Sequence, residues 1–408
     1  MKLYNIYSIT LLTLALIGCN NNSGEKDQTD KRDSIEYMSP PIDTNKYKDL
    51  AGQNPQALPR INDTLNDLAH FISGNTNSEK YFKEFRKKAT YTDFSSRFSK
   101  RWINFDSTKL LPIKNFVSTE FESESKIKNL FYPFSGPDIL YASTIFPEAD
   151  VYTMIGLEPV GTLPIVDDKN IVADSIQKYV DKINSSLNAI LKFSFFRTIS
   201  MKEDLRNDEV DGTIHLLLLF LNKTGHQIAN VRPFYIDTLG NKKYLESTVT
   251  LSKSSYKNKS IEITAIDKNN KVKTVTYTST DLSDPALRKN KGLTTYISNL
   301  HFETTYLKGA SYLMHLSAFS KIRELILANT KNIVQDDSGI ALRYITNDKN
   351  KWKFTFYGAY TKPINMFAMH YQADLDSLYK TQGAKKLGFG LGYNYRDKNS
   401  SFMLIKKS

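Results

Sequence analysis

From residue 65 to 109, Phe82, Phe85, Ala89, Phe94, Phe98, Trp102 and Phe105 recur mostly at spacings of three and four. That is the period of one helix face, with Ser78 placed as an N-cap, and an aromatic stripe of this kind predicts core packing. Beyond it the pattern changes to short apolar runs between helical segments. Strands are expected over 151–157, 228–236, 261–266 and 272–278, and amphipathic helices over 168–193 and 311–333. The run Ile214 to Leu221 is apolar almost without interruption, as in a strand buried on both faces. Runs at 353–360, 387–395 and 402–405, the last two around a turn at Asp397-Lys398-Asn399, predict a β ending. Together these elements describe an α/β fold: a mostly parallel sheet with helices on both faces, a helical N-terminal cap and antiparallel C-terminal edge strands.

The first residues follow a different rule. Lys2 precedes an apolar stretch from Ile6 to Ile17, which ends in Leu16-Ile17-Gly18-Cys19. At ~1.5 Å per helical residue it covers ~18 Å, short of a ~30 Å hydrocarbon core, so it is the length of a secretory leader. Cys19 is the only cysteine of the 408 residues. Leu at −3, a small residue at −1 and then Cys resemble the lipobox of bacterial lipoproteins. The resemblance implies lipidation of Cys19, cleavage before it, and a protein anchored to the membrane without spanning it. Asn20 rather than Asp follows the cysteine, which tilts the expectation toward the outer membrane, on its periplasmic face or at the cell surface. The polar segment 19–60, broken by Pro40, Pro41, Pro55 and Pro59, reads as a tether. A helical cap over 61–128 and an α/β body over 129–408 complete the expected organisation.

Composition narrows the function classes. With 40% hydrophobic residues, 23 Phe and 24 Tyr, the chain has enough apolar mass for a core. One cysteine excludes a disulfide framework and a Cys-rich zinc site. The net charge of +12 comes from scattered Lys and Arg with no long basic block, so nucleic acid is not an expected partner. The histidines show no ligand spacing, and no metal site is expected.

Three constellations carry candidate chemistry. In Phe131-Tyr132-Pro133-Phe134-Ser135-Gly136-Pro137-Asp138, Gly136 suits a tight turn and Pro137 an opening helix, and Glu158 follows the next expected strand. That spacing matches the way nucleotide-binding α/β folds place an acid near a ribose hydroxyl. In the second, Lys308 ends a strand and Ser311 is a candidate cap. His315, four residues on, would share its helical face as a possible base. In the third, an apolar run opens into Gln335-Asp336-Asp337-Ser338-Gly339, where Asp336 or Asp337 is a candidate general acid and Asp337-Ser338-Gly339 a candidate turn.

The first constellation resembles the opening βαβ unit of Rossmann-like methyltransferases, with Gly136 in the turn and Glu158 as the ribose-binding acid. It departs from them in carrying a single glycine there, and Asp138 in the first helical turn would repel phosphate. Adenosyl cofactors are cytoplasmic, so an exported protein of this fold is expected to have a degenerate or reused pocket, and no cofactor is expected. Residues 131–161, 308–339 and 352–371 also resemble a family of exported bacterial proteins without an assigned activity, a likeness covering the chain from Leu65 onward. The expected function is therefore a lipid-anchored envelope protein that binds a small molecule or glycan. The binding cleft is expected at the strand ends, with Ser135, Gly136, Asp138, Glu158, Lys308, Ser311 and Gln335 as ligand contacts. Two alternatives stand beside it: an extracytoplasmic enzyme (a hydrolase using Asp336, Asp337 or His315, or a degenerate methyltransferase) and a non-catalytic scaffold.

Overall fold

The computed structural model describes residues 58–76, 81–161, 178, 180–184, 212–245, 260–346, 351–396 and 400–408. Cys19 and nearly all of the tether, Ser78, most of 168–193 and the turn at 397–399 lie outside the described residues. Ten strands form one sheet: β1 (Asn129–Pro133), β2 (Val151–Gly156), β3 (Gln227–Ile236), β4 (Lys242–Tyr244), β5 (Ser260–Ile266), β6 (Val272–Ser279), β7 (Thr304–Leu307), β8 (Asn332–Gln335), β9 (Trp352–Tyr357) and β10 (Phe402–Lys407). Their order is β4-β3-β5-β6-β2-β1-β7-β8-β10-β9.

The centre, β6-β2-β1-β7-β8, is parallel throughout. Numbered along the chain, these five strands run 3-2-1-4-5, the order of a doubly wound sheet. Every other pairing is antiparallel: the meander β4-β3-β5-β6 on one side and β8-β10-β9 on the other. The expectation of a mostly parallel sheet is corrected accordingly, because antiparallel extensions flank the parallel core on both sides.

Side chains alternate across the strands and build two cores. Tyr132, Met154, Tyr277, Tyr306, Val334 and Leu404 face one side. There they pack in one cluster with α1 (Asp63–Ile72), α2 (Ala89–Phe105), α3 (Leu111–Glu120), α4 (Ile139–Ile145) and α5 (Ile214–Lys223). Phe131, Ile155, Leu307, Ile333 and Ile405 face the other, against α6 (Asp284–Lys289), α7 (Lys291–Asn299), α8 (Ser320–Asn329) and α9 (Ala373–Thr381). The aromatic stripe is core: Phe82, Phe71, Tyr91, Phe94, Phe98, Trp102 and Phe105 form an unbroken chain of ring contacts. It spans separate helices, because Phe82 and Gly74 adopt left-handed backbone between them. A π turn (Asp106–Leu110) joins α2 to α3 just before Pro112, whose missing N–H removes an intrahelical bond.

Three expected elements are corrected. Residues 214–221 form α5, not a strand. The helix is buried all round because it lies in the layer between α1, α4 and β3, so an unbroken apolar run serves it as well as it would serve a central strand. Residues 311–333 are not one helix. Ser311 and Tyr312 have φ of 53° and 54°, two short 3-10 turns follow, and α8 begins only at Ser320. That start is capped from another helix: Asp284 accepts from Ser320 Oγ at 2.6 Å and from the Lys321 N–H at 2.9 Å. Residues 387–395 bury Leu387, Phe389 and Leu391 in strand-like alternation but form no strand: Phe389 makes only an isolated bridge, and the backbone takes positive φ at Gly388 (81°) and Gly392 (59°).

Candidate functional site

β1, β2, β7 and β8 end along one edge of the sheet. Between β1 and β7 the chain order reverses direction, the point at which open α/β sheets hold ligands. Beyond β1, Phe134 and Gly136 take positive φ (60° and 53°) and return the chain toward β2. The Ser135 N–H donates to the Ile155 carbonyl at 2.9 Å, and its hydroxyl contacts the Gly136 and Ile155 carbonyls. Gly136 Cα stands 3.0 Å from the place a Cβ would take on Gly156, so the two backbones pack directly together.

Asp138 then caps α4. Its Oδ1 accepts from the Tyr141 N–H at 3.3 Å, and its Oδ2 accepts from Tyr132 Oη at 2.7 Å and from Lys308 Nζ at 2.7 Å. Lys308 is the first residue beyond β7, and its ammonium also sits 3.8 Å from the centre of the Tyr141 ring. Both charged side chains are 1% exposed. Burial pushes the Asp138 carboxyl up and the Lys308 ammonium down, and in each case the opposite charge of the partner works against the shift.

The loop after β8 is equally self-contained. The Gln335 amide spans the loop, donating to the Ile340 carbonyl and accepting from the Ile340 N–H, both at 2.9 Å. Asp336 Oδ1 accepts from the N–H and hydroxyl of Ser338, and Oδ2 from the Gly309 N–H at 2.8 Å. Gly392 packs so tightly on Asp336 that a Cβ there would collide with Oδ2. Asp337 Oδ2 accepts from Tyr312 Oη at 2.5 Å, and Oδ1 from Ser401 Oγ at 3.0 Å. Burial, then the adjacent Asp336, pushes the Asp337 carboxyl up to about 7. Burial also raises Asp336, opposed by its bonds to Ser338 and Gly309.

Glu158 is 2% exposed and turned inward. Tyr277 Oη donates to its carbonyl at 3.0 Å and to its carboxylate at 3.3 Å. Ser311 and His315 do not share a helical face. Ser311 is exposed and bonds to Tyr393 Oη at 2.8 Å, while His315 is buried with its ring edge-on to Tyr312 and His370. Burial and then the neighbouring His370 bring the His315 imidazole down to about 3, so it is neutral. Ser311 makes no helix cap, because the 3-10 turn beginning at Leu313 follows Tyr312 and has no side-chain cap.

Of the sequence candidates, Ser135, Gly136, Asp138, Glu158, Lys308, Gln335, Asp336 and Asp337 gather at the strand ends as a buried polar knot, while Ser311 is exposed and His315 Nε2 has no hydrogen-bond partner among the described residues. Asp138, Lys308 and Asp336 meet across the switch point, and Gly136 and Glu158 meet at Gly156. Tyr132, Tyr277, Tyr312 and Ser401, partners that close the knot, were not anticipated, and Ser338 was expected only as a turn residue. Tyrosines at alternate strand positions read as core, and Ser401 is distant from Asp337 in the chain. Both oxygens of Asp336 and of Asp337 already accept hydrogen bonds inside the protein, so neither is placed to exchange a proton with a substrate. Among the described residues no group of three or more His, Cys, Asp or Glu is arranged to hold a metal ion.

An adenosyl cofactor does not fit these residues. The acid that would reach a ribose is bonded to Tyr277, the turn that would admit the nucleoside is packed on Gly156, and the switch point holds the Asp138–Lys308 pair.

No family model matches the chain, and no curated protein matches it. Among solved structures it is similar to two crystal structures of the plantazolicin methyltransferase BpumL in complex with desmethylPZN analogs and SAH. With the pentazolic analog the TM-score is 0.24 at 10% identity, covering 85% of this chain and 99% of that one. With the monoazolic analog the TM-score is 0.25 at 9% identity, covering 85% and 98%.

Proposed function

We propose that this chain is a lipid-anchored envelope protein, tethered through Cys19, whose methyltransferase-like body has lost its cofactor crevice and works by binding a small molecule or glycan. The 3-2-1-4-5 core with its antiparallel C-terminal edge supports the methyltransferase-like reading, as do Gly136 in the turn after β1 and Glu158 after β2. The observation that carries the reading is the Asp138–Lys308 pair inside the switch point, both side chains 1% exposed and 2.7 Å apart. A charge pair held there by Tyr132, Tyr141 and the α4 N-terminus occupies the room a nucleotide needs. No geometry favours hydrolysis at Asp336, Asp337 or His315.

The test is thermal. A ligand present at about a hundred times its Kd adds about 2.7 kcal/mol to the folded state, which shifts the melting temperature by several degrees. S-adenosylmethionine and S-adenosylhomocysteine at millimolar concentration are expected to leave the melting temperature of the full-length protein unchanged. A shift that Glu158→Ala abolishes would overturn the proposal. The anchor has its own test: labelled palmitate is expected to enter the wild type and not Cys19→Ala, and equal labelling of the two would contradict lipidation at that thiol.

A further inference from the structure

A second concavity lies in the helical layer, away from the strand ends. It is an open groove of about 480 Å³, within the size range of small-molecule sites (about 300–1,000 Å³). The turn after α1 supplies Ser73, Asn75 and Thr76, α2 supplies Ser99 and Trp102, and α5 ends there in Lys223. The described residues lining it include no Asp or Glu; His70, from α1, is the other titratable group. Lys223 therefore brings a positive charge that meets no acid among the described residues. Its ammonium lies 4.8 Å from the Phe98 ring centre and 5.3 Å from that of Trp102. Burial alone brings it down to about 8.

The carbonyl ends of α1 and α5, which would otherwise favour a cation here, are capped. The α1 carbonyls accept from the N–H groups of Ser73, Gly74 and Asn75, and those of α5 accept from the N–H groups of Thr224, Gly225 and His226. The second observation is Ser73 Oγ, in a residue 2% exposed, which has no hydrogen-bond partner among the described residues. A buried hydroxyl left in that state costs free energy that a ligand hydroxyl would recover.

We propose that this groove binds a carboxylated sugar, with Lys223 receiving the carboxylate and Ser73 a ring hydroxyl. One isolated cation matches a single negative charge better than a phosphate dianion, and hydroxyl and amide walls match a hydroxylated ring better than a lipid. The inference deepens the ligand-binding reading above by giving it a place and a ligand class. It does not depend on whether the strand-end crevice is closed, so the adenosyl experiment and this one fail separately.

The chain has two tryptophans, and Trp352 is buried in the opposite core, so a ligand-dependent change in tryptophan fluorescence that Trp102→Phe abolishes reports on the groove. The full-length protein is titrated with D-glucuronate, D-glucose and glucose 6-phosphate at pH 7, with Trp102→Phe as the control for signal origin. Glucuronate is expected to give a saturable change and to bind about tenfold or more tightly than either other sugar. Lys223→Met is expected to lose about tenfold or more in affinity while melting no lower than wild type, since it removes a desolvated charge. Ser73→Ala is expected to weaken binding by a smaller factor. Because Lys223 loses its proton above about pH 8, glucuronate affinity should fall between pH 7 and 9 in the wild type and stay flat in Lys223→Met. Equal affinity for glucose and glucuronate, tighter binding of glucose 6-phosphate, absence of a saturable change, or a Lys223→Met protein that binds like wild type would each overturn the proposal.

Discussion

At the residue scale the molecule turns on one buried ion pair. Lys308 and Asp138 come from elements far apart in the chain, and each is held by further bonds: Tyr132 and the Tyr141 N–H on the carboxylate, the Tyr141 ring under the ammonium. Removing one partner of such a pair leaves an uncompensated buried charge and costs about 3–5 kcal/mol, whereas neutralising both can cost much less. Lys308→Met is therefore expected to destabilise by about that amount in urea unfolding. Adding Asp138→Asn, which keeps a capping oxygen on α4, should recover about 1 kcal/mol or more of the loss. Strict additivity of the two substitutions would show that the pair is not coupled. Lys308 and Glu158 were legible as polar residues at the ends of expected strands, Asp138 as one opening a helix and Asp336 as one following an expected helix. Their mutual satisfaction was not, because a sequence states which groups are polar but not which partner each one finds across the sheet.

At the scale of elements, legibility followed the physics of each pattern. Strands with β-branched alternation, such as β5 and β6, matched their expected ranges to within a residue or so. The run at 214–221 was misread because full burial erases periodicity: a helix enclosed on all sides and a strand enclosed on two carry the same string of Leu and Ile. In 311–333 the helical spacing of Ile322 and Ile326 was real, but Tyr312 is held by Asp337 in a left-handed conformation that no helix tolerates. The stretch 387–395 alternates as a strand should, yet it serves as a cover. Gly392 seats it on Asp336, and Tyr393 Oη donates to the Gly309 carbonyl at 3.0 Å. What decided each case was a tertiary contact outside the window in which the pattern was read.

At the scale of the whole molecule, a sheet order suited to ligands at its switch point has that point sealed from within, while an open groove stands among the helices of one face. No helix among the described residues is long and apolar enough to cross a membrane. The sealed crevice is the claim on which the functional reading depends, and amide hydrogen exchange measures it directly. The N–H groups of Gly309 and Ser338 donate to Asp336, and that of Tyr141 to Asp138. In a crevice closed by its own side chains these amides exchange only through openings close in free energy to global unfolding. Peptides covering residues 305–315 and 333–342 are therefore expected to show protection comparable to the central strands, unchanged by adenosyl compounds. Rapid exchange at Gly309 and Ser338 that slows when an adenosyl compound is added would contradict the account.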